Sequence, residues 1–202
     1  QELENVKGTY AGPGWAKIDE ALARGYRVRI RVLAGINAPD WAKKLGGPTL
    51  SLPANGAHPA VDCSASGGIG VANTASDVYG CTTYFWDSKV QAAYEALMKE
   101  VAKRYDANDK VCEVVNSACM TVFAEVLYRV HSADDGNENL ANAGLTFAKD
   151  VACQRWSLDM MNTTFPRTRM SMSLSPWDVI EEGGVHSVSF AEARNLADEY
   201  RS

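Results

Sequence analysis

The sequence predicts an α/β fold, in which helices and strands alternate along one domain of residues 1–202. Two segments alternate apolar and polar residues, as half-buried strands do, and a third is a short apolar, β-branched run. The segments between them place apolar residues at helical spacing. After a first short helix, the predicted order is strand, helix, strand, helix, strand, helix. This alternation favours parallel strands joined by right-handed crossovers.

The first predicted helix spans residues 15–26. Trp15, Ile18 and Leu22 recur at the spacing of one helix face, and Gly25 is a common type of C-terminal stop. A strand at 27–35 then places valine and isoleucine on one face and arginines on the other.

Arg31 is the arginine nearest the carboxyl end of this strand. Two interpretations of it stay open, an exposed side chain and a ligand-binding one.

Residues 36–88 are rich in Gly, Pro, Ala and Ser and predict a long irregular loop. Within the loop, Cys63 and Cys81 bracket a stretch with little apolar material, so a disulfide between them is expected and would contribute about 3 kcal/mol. Such a bridge predicts a secreted or extracellular protein, whereas two free thiols would fit a cytosolic one. Cys119 and Cys153 offer a second pair whose connectivity the sequence does not fix.

The remaining elements follow from periodicity and capping residues. A helix capped by Asp87 or Ser88 is the clearest one, and a capping box of Ser189 and Glu192 opens the last helix. In chain order the segments are a helix at 86–106, a strand at 111–117, a helix at 146–161, a strand at 168–176 and the C-terminal helix.

The charge of the chain argues against two classes of partner. The net charge is −5 and no run of Lys or Arg occurs, so we expect no nucleic-acid partner and no anionic membrane partner. No apolar run reaches the roughly 20 residues that cross a bilayer. The chain also lacks a glycine-rich phosphate motif and zinc-ligand spacing, so we expect no cofactor and no metal.

Candidate ligand-binding residues follow the predicted strands, because α/β proteins bind ligands beyond the carboxyl ends of their strands. They are mainly acids and tryptophans, a combination typical of sugar recognition: aromatic faces stack on the C–H faces of sugar rings, and acids bind hydroxyl groups. The alternative for each tryptophan is packing in the core or at its rim. The candidates are Arg31, Asn37, Asp40, Trp41, Trp86, Glu125, Trp177 and Asp178.

Glu125 is the candidate for acid–base chemistry. Val122 and Phe123 precede it, and apolar surroundings raise the pKa of a carboxyl group. The alternative is a capping or solvated acid. Glycoside hydrolysis needs a second carboxylate about 5 to 9 Å away. The residues available for that role are Asp40, Asp178, Glu181 and Glu182, none of which ends a predicted strand as Glu125 does.

Two stretches resemble a known family. "RVRIRVLAGINAPDWAKKLGG" and "YFWDSKVQAAYEALMKEVAKRYDANDKVCEVVNSACMTVFAEVL" are similar to the first half of clan A glycoside hydrolases, the β-galactosidase-like and cellulase-like (β/α)8 barrels. The resemblance covers residues 15 to about 180 and implies a TIM-type barrel. It also implies that Glu125 is the general acid/base, that Arg31 supports the site, and that Trp41 and Trp86 are sugar platforms.

The chain departs from this family in two respects. Ala124 stands where the family has asparagine before its acid/base. The family's nucleophile follows the seventh strand, but this chain shows only three predicted strands and a fourth candidate near residues 6–10. A complete barrel also needs roughly 250 residues, more than this chain has. The expectation is therefore a partial barrel corresponding to the N-terminal part.

Two explanations of such a partial barrel stay open, beside a third hypothesis in which the chain is an unrelated secreted α/β protein and Glu125 only satisfies local backbone groups. It is either a fragment of a hydrolase acting on β-linked oligo- or polysaccharide, or a minimal, non-catalytic carbohydrate-binding or scaffold protein. In both cases an open sheet edge would favour self-association.

Overall fold

A computed structural model of the chain describes residues 2–130, 134–181 and 186–200. The helices in this part are α1 Pro13–Ala23, α2 Asp40–Lys43, α3 Ser88–Tyr105, α4 Asn137–Asn142, α5 Phe147–Thr164 and α6 Phe190–Glu199. The strands are β1 Val28–Arg31, β2 Ile69–Asn73, β3 Val78–Thr82, β4 Val111–Val115, β5 Met170–Ser171, β6 Trp177–Ile180 and β7 His186–Ser189.

A three-stranded parallel sheet forms the centre of the molecule, in the order β1-β4-β5. Ile30 of β1 lies opposite Val114 of β4, and Val114 lies opposite Met170 of β5. Helices α3 and α5 contact each other and contribute buried residues to the same core as β1 and β4. Within the described residues, no further strand pairs with the outer edge of β1 or of β5.

Two antiparallel hairpins accompany the parallel sheet. Strands β2 and β3 pair from Ile69 opposite Thr82 to Asn73 opposite Val78, and a tight turn that includes Asp77 in the left-handed region joins them. Strands β6 and β7 form the second hairpin, with α6 directly after it. The β2–β3 hairpin corrects the expected loop at 36–88, because its strands lie inside that range.

The predicted partial (β/α)8 barrel is wrong, and the chain is a small mixed α/β domain. A barrel needs successive parallel strands joined by crossovers, but only β1, β4 and β5 of the described strands are parallel. The other four strands pair within their own hairpins and do not extend the parallel sheet. The predicted strand at 168–176 also shrinks to the two residues of β5.

Most of the predicted helices are confirmed, and their caps explain their starts. The carboxylate of Asp87 accepts the backbone N–H of Lys89 at the start of α3. The hydroxyl of Ser189 accepts the N–H of Glu192, as the predicted capping box requires. The predicted segments at 15–26, 111–117 and 146–161 correspond to α1, β4 and α5.

Two disulfides link distant parts of the chain. The predicted Cys63–Cys81 bridge is confirmed and joins the loop before β2 to β3. The second bridge, Cys119–Cys153, joins the segment after β4 to α5. Two disulfides fit an oxidising, extracellular environment. Among the described residues, no helix has the length and apolar character needed to cross a membrane.

Candidate functional site

A cleft of about 600 Å³ runs along the outer edge of β1. Every residue from Val28 to Ala34 lines it, so the strand presents its edge to the cleft along its whole length. The opposite walls come from the N-terminal segment and α1, from the α2 region, and from α3. This volume lies in the range of small-molecule sites in proteins.

The open edge of β1 supplies backbone hydrogen-bonding groups. Val114 and Asn116 donate their N–H groups towards β5. In a parallel pair only one of two opposite residues bonds to the partner strand, so Ile30, which lies opposite Val114, is a β1 residue whose backbone bonds to β4. The backbone N–H and C=O groups of Arg29 and Arg31 therefore point away from β4. They face the cleft as donors and acceptors for a bound molecule.

The inner wall of the cleft is apolar. Phe85 and Val32 line it and are 1% and 6% exposed. Tyr94 lies beside them and donates its hydroxyl to the carbonyl of Val32 at 2.8 Å. Burial raises the pKa of Tyr94, so its hydroxyl stays protonated and keeps this bond.

Two buried polar atoms in the cleft wall have no hydrogen-bond partner within the described chain. One is the indole N–H of Trp41, and the other is the hydroxyl of Thr83, a residue that is 1% exposed. Buried polar groups are normally paired. Both atoms are themselves buried, and other buried polar groups of the described chain, such as the hydroxyls of Thr82 and Ser117, lack a partner in the same way, so these two atoms do not by themselves indicate a ligand.

The N-terminal segment closes one side of the cleft. Val6 and Thr9 pair across a tight turn in which Gly8 has φ +75°, in place of the expected strand at 6–10. The N–H of Gly8 donates to Glu4 at 2.7 Å. Lys7 extends from the same turn, with its ammonium 5.9 Å from the ring centroid of Trp41.

The charged groups around the cleft are mostly paired. Lys17 and Glu2 form an exposed ion pair at 2.7 Å, and Arg29 pairs with Glu113 at 3.1 Å. Arg31 is exposed and donates to the hydroxyl of Ser173 at 3.0 Å. The cleft rim therefore has little net charge, which suits an uncharged ligand.

The structure brings three of the predicted ligand-binding residues to this cleft: Arg31, Asn37 and Trp41. Asp40 begins α2 and is exposed, but it does not line the cleft. Trp86 is half-buried away from the cleft, with its ring 4.9 Å from that of Phe85.

Trp177 and Asp178 lie in the protein interior on β6. Trp177 is 1% exposed, and its indole N–H donates to Asp150 at 3.2 Å. Asp178 is 3% exposed and accepts the backbone N–H of Arg129 at 2.9 Å. These hydrogen bonds link β6 to α5 and to the segment that contains Arg129. The buried Trp177 ring offers no exposed face to a sugar.

Glu125 lies in the irregular segment 116–130 that follows β4, ten residues after the strand ends. The segment folds back on itself, because the hydroxyl of Thr121 donates to the carbonyl of Tyr128 at 3.2 Å. Glu125 is half-buried, does not line the cleft, and its carboxylate has no hydrogen-bond partner in the described part of the chain.

Near Glu125, burial together with the charges of Asp178 and Asp135 raises the pKa of Tyr128 to about 12. The hydroxyl of Tyr128 is therefore protonated at neutral pH.

Of the suggested second carboxylates that the structure describes, Asp40, Asp178 and Glu181, none lines the cleft. Asp178 is engaged in the interior, and Glu181 is exposed and accepts the hydroxyl of Ser187 at 2.9 Å. Glu182 lies outside the described residues. In the described ranges, no group of three His, Cys, Asp or Glu side chains is arranged to hold a metal ion.

Sequence reasoning missed three residues of the cleft: Glu4, Thr83 and Trp156. Glu4 is 5% exposed and lines the cleft together with Trp156 of α5. No local pattern marked these residues, because tertiary packing brings them together. The one available signal was the pair of glutamates in "QELENVKGTY", an acidic stretch next to the first helix.

The chain matches no protein-family model, no curated protein and no solved structure. The likeness to clan A glycoside hydrolases therefore rests on the short motifs alone.

Proposed function

We propose that this domain binds an uncharged oligosaccharide in the cleft beside β1, as a non-catalytic carbohydrate-binding protein of an oxidising, extracellular environment. The observation that carries the proposal is the lining of the cleft, which combines the aromatic side chains of Trp41 and Trp156 with the open backbone edge of β1.

The features of the cleft suit such a ligand. Trp41 and Trp156 give aromatic surface for the C–H faces of sugar rings, and the edge of β1 gives backbone groups for hydroxyls. The ion pairs of Lys17 and Arg29 are satisfied within the protein, so the rim does not demand a charged ligand. The apolar wall excludes water and strengthens these hydrogen bonds.

Calorimetric titration with cellotetraose, laminaritetraose and xylotetraose tests the proposal, since these differ in linkage or sugar. We expect at least one to bind the wild type, and Trp41→Ala to weaken it about tenfold, the equivalent of roughly 1.4 kcal/mol. Trp86→Ala is the matched control, because Trp86 is also half-buried but lies outside the cleft. Equal losses in the two variants, or no binding by the wild type, would contradict the proposal.

Hydrolysis at Glu125 is a second candidate function. The observation that favours it is a half-buried carboxylate without a hydrogen-bond partner among the described residues, next to the apolar Phe123 and Ala124. Chromogenic β-glycosides test it. Measurable release of the chromophore that Glu125→Gln abolishes supports the acid/base role, and release that continues unchanged in that variant removes it.

A further inference from the structure

We infer that Glu4 is the carboxylate that binds ligand hydroxyl groups in the cleft and selects for their arrangement. The inference rests on the proposed carbohydrate-binding function and adds the residue that sets specificity. It assigns this role to a group that the family resemblance does not mark.

The position of Glu4 separates it from the other acids. Two glutamates line the cleft, Glu2 and Glu4. The side chain of Glu2 is 64% exposed and engaged by Lys17, whereas Glu4 is only 5% exposed. Glu4 is therefore the acid inside the cleft, and Glu2 lies at its solvent-facing margin.

The hydrogen bonding of Glu4 leaves capacity for a ligand. Its Oε1 accepts the N–H of Gly8 at 2.7 Å, and no other hydrogen bond to this carboxylate is found in the described residues. A carboxylate accepts about four hydrogen bonds. The Gly8 bond fixes the orientation of the group, and the remaining positions are available to the hydroxyls of a sugar.

The segment that carries Glu4 is held rigidly. Gly14 donates its N–H to the carbonyl of Glu2 at 2.9 Å, and the Trp15 indole donates to the carbonyl of Leu3 at the same distance. Gly12 packs so closely that an added Cβ would lie 2.0 Å from the Glu2 carbonyl oxygen. These contacts fix the backbone immediately before Glu4, and the Gly8 N–H holds its side chain, so the carboxylate is preorganised.

The turn that follows Glu4 lies beside the ring of Trp41. Lys7, on the same turn, lies over the ring of Trp41, which places the turn and the aromatic ring on one side of the cleft. An acid and an aromatic face that share a cleft wall can bind the hydroxyl edge and the C–H face of one sugar ring.

Calorimetric titration of Glu4→Gln with the tetrasaccharide that binds the wild type best tests the inference. Glutamine keeps an oxygen for Gly8 but removes the charge, so we expect the affinity to fall about ten- to hundredfold. Glu2→Gln is the matched control, and its affinity should stay within about twofold because Glu2 is exposed.

The carboxyl 13C signals of the labelled wild-type protein provide a second readout that needs no variant. Adding the tetrasaccharide should shift the Glu4 signal and leave the Glu125 signal in place. Binding that survives in Glu4→Gln but is lost in Trp41→Ala overturns the inference and leaves the proposed function standing. A wild type that binds none of the three tetrasaccharides overturns the proposed function itself.

Discussion

Glu4 and Glu125 are two acids in contrasting surroundings. Glu125 follows β4 in a segment tied down by Cys119, Thr121 and Tyr128, and it lies outside the cleft. Glu4 comes from a turn before the first helix and lies inside the cleft. The comparison teaches that the carboxyl end of a parallel strand does not by itself define a ligand site. In this domain the cavity follows the open edge of β1.

The largest expected effect concerns the buried ion pair of Arg129, four residues after Glu125, and tests whether this region stabilises the fold. Arg129 is fully buried, forms an ion pair with Asp150 at 2.5 Å and lies 4.6 Å above the ring of Phe85. Arg129→Met leaves the Asp150 charge buried and unpaired, so we expect the free energy of unfolding in urea to fall by about 3–5 kcal/mol. Arg155→Met breaks the exposed pair with Glu199 and should cost less than about 1 kcal/mol. Similar small losses in both variants would show that the buried pair does not hold this region.

The next effect compares the two disulfides, of which one anchors the segment that carries Glu125. Cys119–Cys153 spans 34 residues and Cys63–Cys81 spans 18. Because a longer closed loop restricts the unfolded chain more, double serine variants should lose about 4 and about 3 kcal/mol respectively. Chemical denaturation of both variants measures the difference. A larger loss at Cys63–Cys81 would contradict this order.

A smaller effect concerns the Thr83 hydroxyl, a buried group that has no hydrogen-bond partner in the described chain. Thr83→Val removes this group, so stability without ligand should stay equal or rise by up to about 1 kcal/mol. The affinity for the oligosaccharide should stay within about twofold, because the Thr83 hydroxyl is buried and does not reach a ligand in the cleft. Thr82→Val is the matched control, because Thr82 is equally buried and unpartnered but does not line the cleft. A several-fold loss of affinity in Thr83→Val alone would contradict this expectation.

The smallest effect concerns the charge of Glu4. Burial raises the pKa of Glu4 above 4.5, and the Gly8 N–H and the nearby Lys7 charge only partly offset this. The folded protein therefore binds the proton more tightly than the unfolded chain, and stability falls as pH rises from 4.5 through the raised pKa. The other ionisable groups near this wall are Tyr10 and the Glu2–Lys17 pair.

Urea unfolding across this pH window checks the prediction. Glu4→Gln should gain stability relative to the wild type above the window and show no gain below it. A pH-independent difference between the two proteins would contradict it.

The parts of the fold that were predictable carry their own local signals. The periodicity of α3 and the capping box of α6 mark helices wherever the chain packs. The β2–β3 hairpin was missed because its glycines resemble a loop. Gly70 and Gly80 are needed for close packing: an added Cβ would lie 2.6 Å from the Leu52 nitrogen and 3.1 Å from the Ile36 Cβ, respectively.

The barrel was predicted wrongly because the family-like motifs lie on β1, α3 and β4, and of the strands only β1 and β4 and their parallel pairing follow the barrel pattern. The motifs say nothing about β6 and β7, whose pairing is antiparallel. In the cleft, Arg31, Asn37 and Trp41 were predictable from their place after the first strand. Glu4 and Thr83 were not, because only tertiary contacts bring them to β1.

The most direct test of the central claim, that the cleft beside β1 binds the oligosaccharide, is an NMR titration of the five tryptophan indole N–H signals. Single Trp→Phe variants assign the signals. We predict that the Trp41 signal shifts and saturates with the oligosaccharide while the Trp86 and Trp177 signals stay in place. A shift of Trp86 or Trp177 without a shift of Trp41 would contradict it.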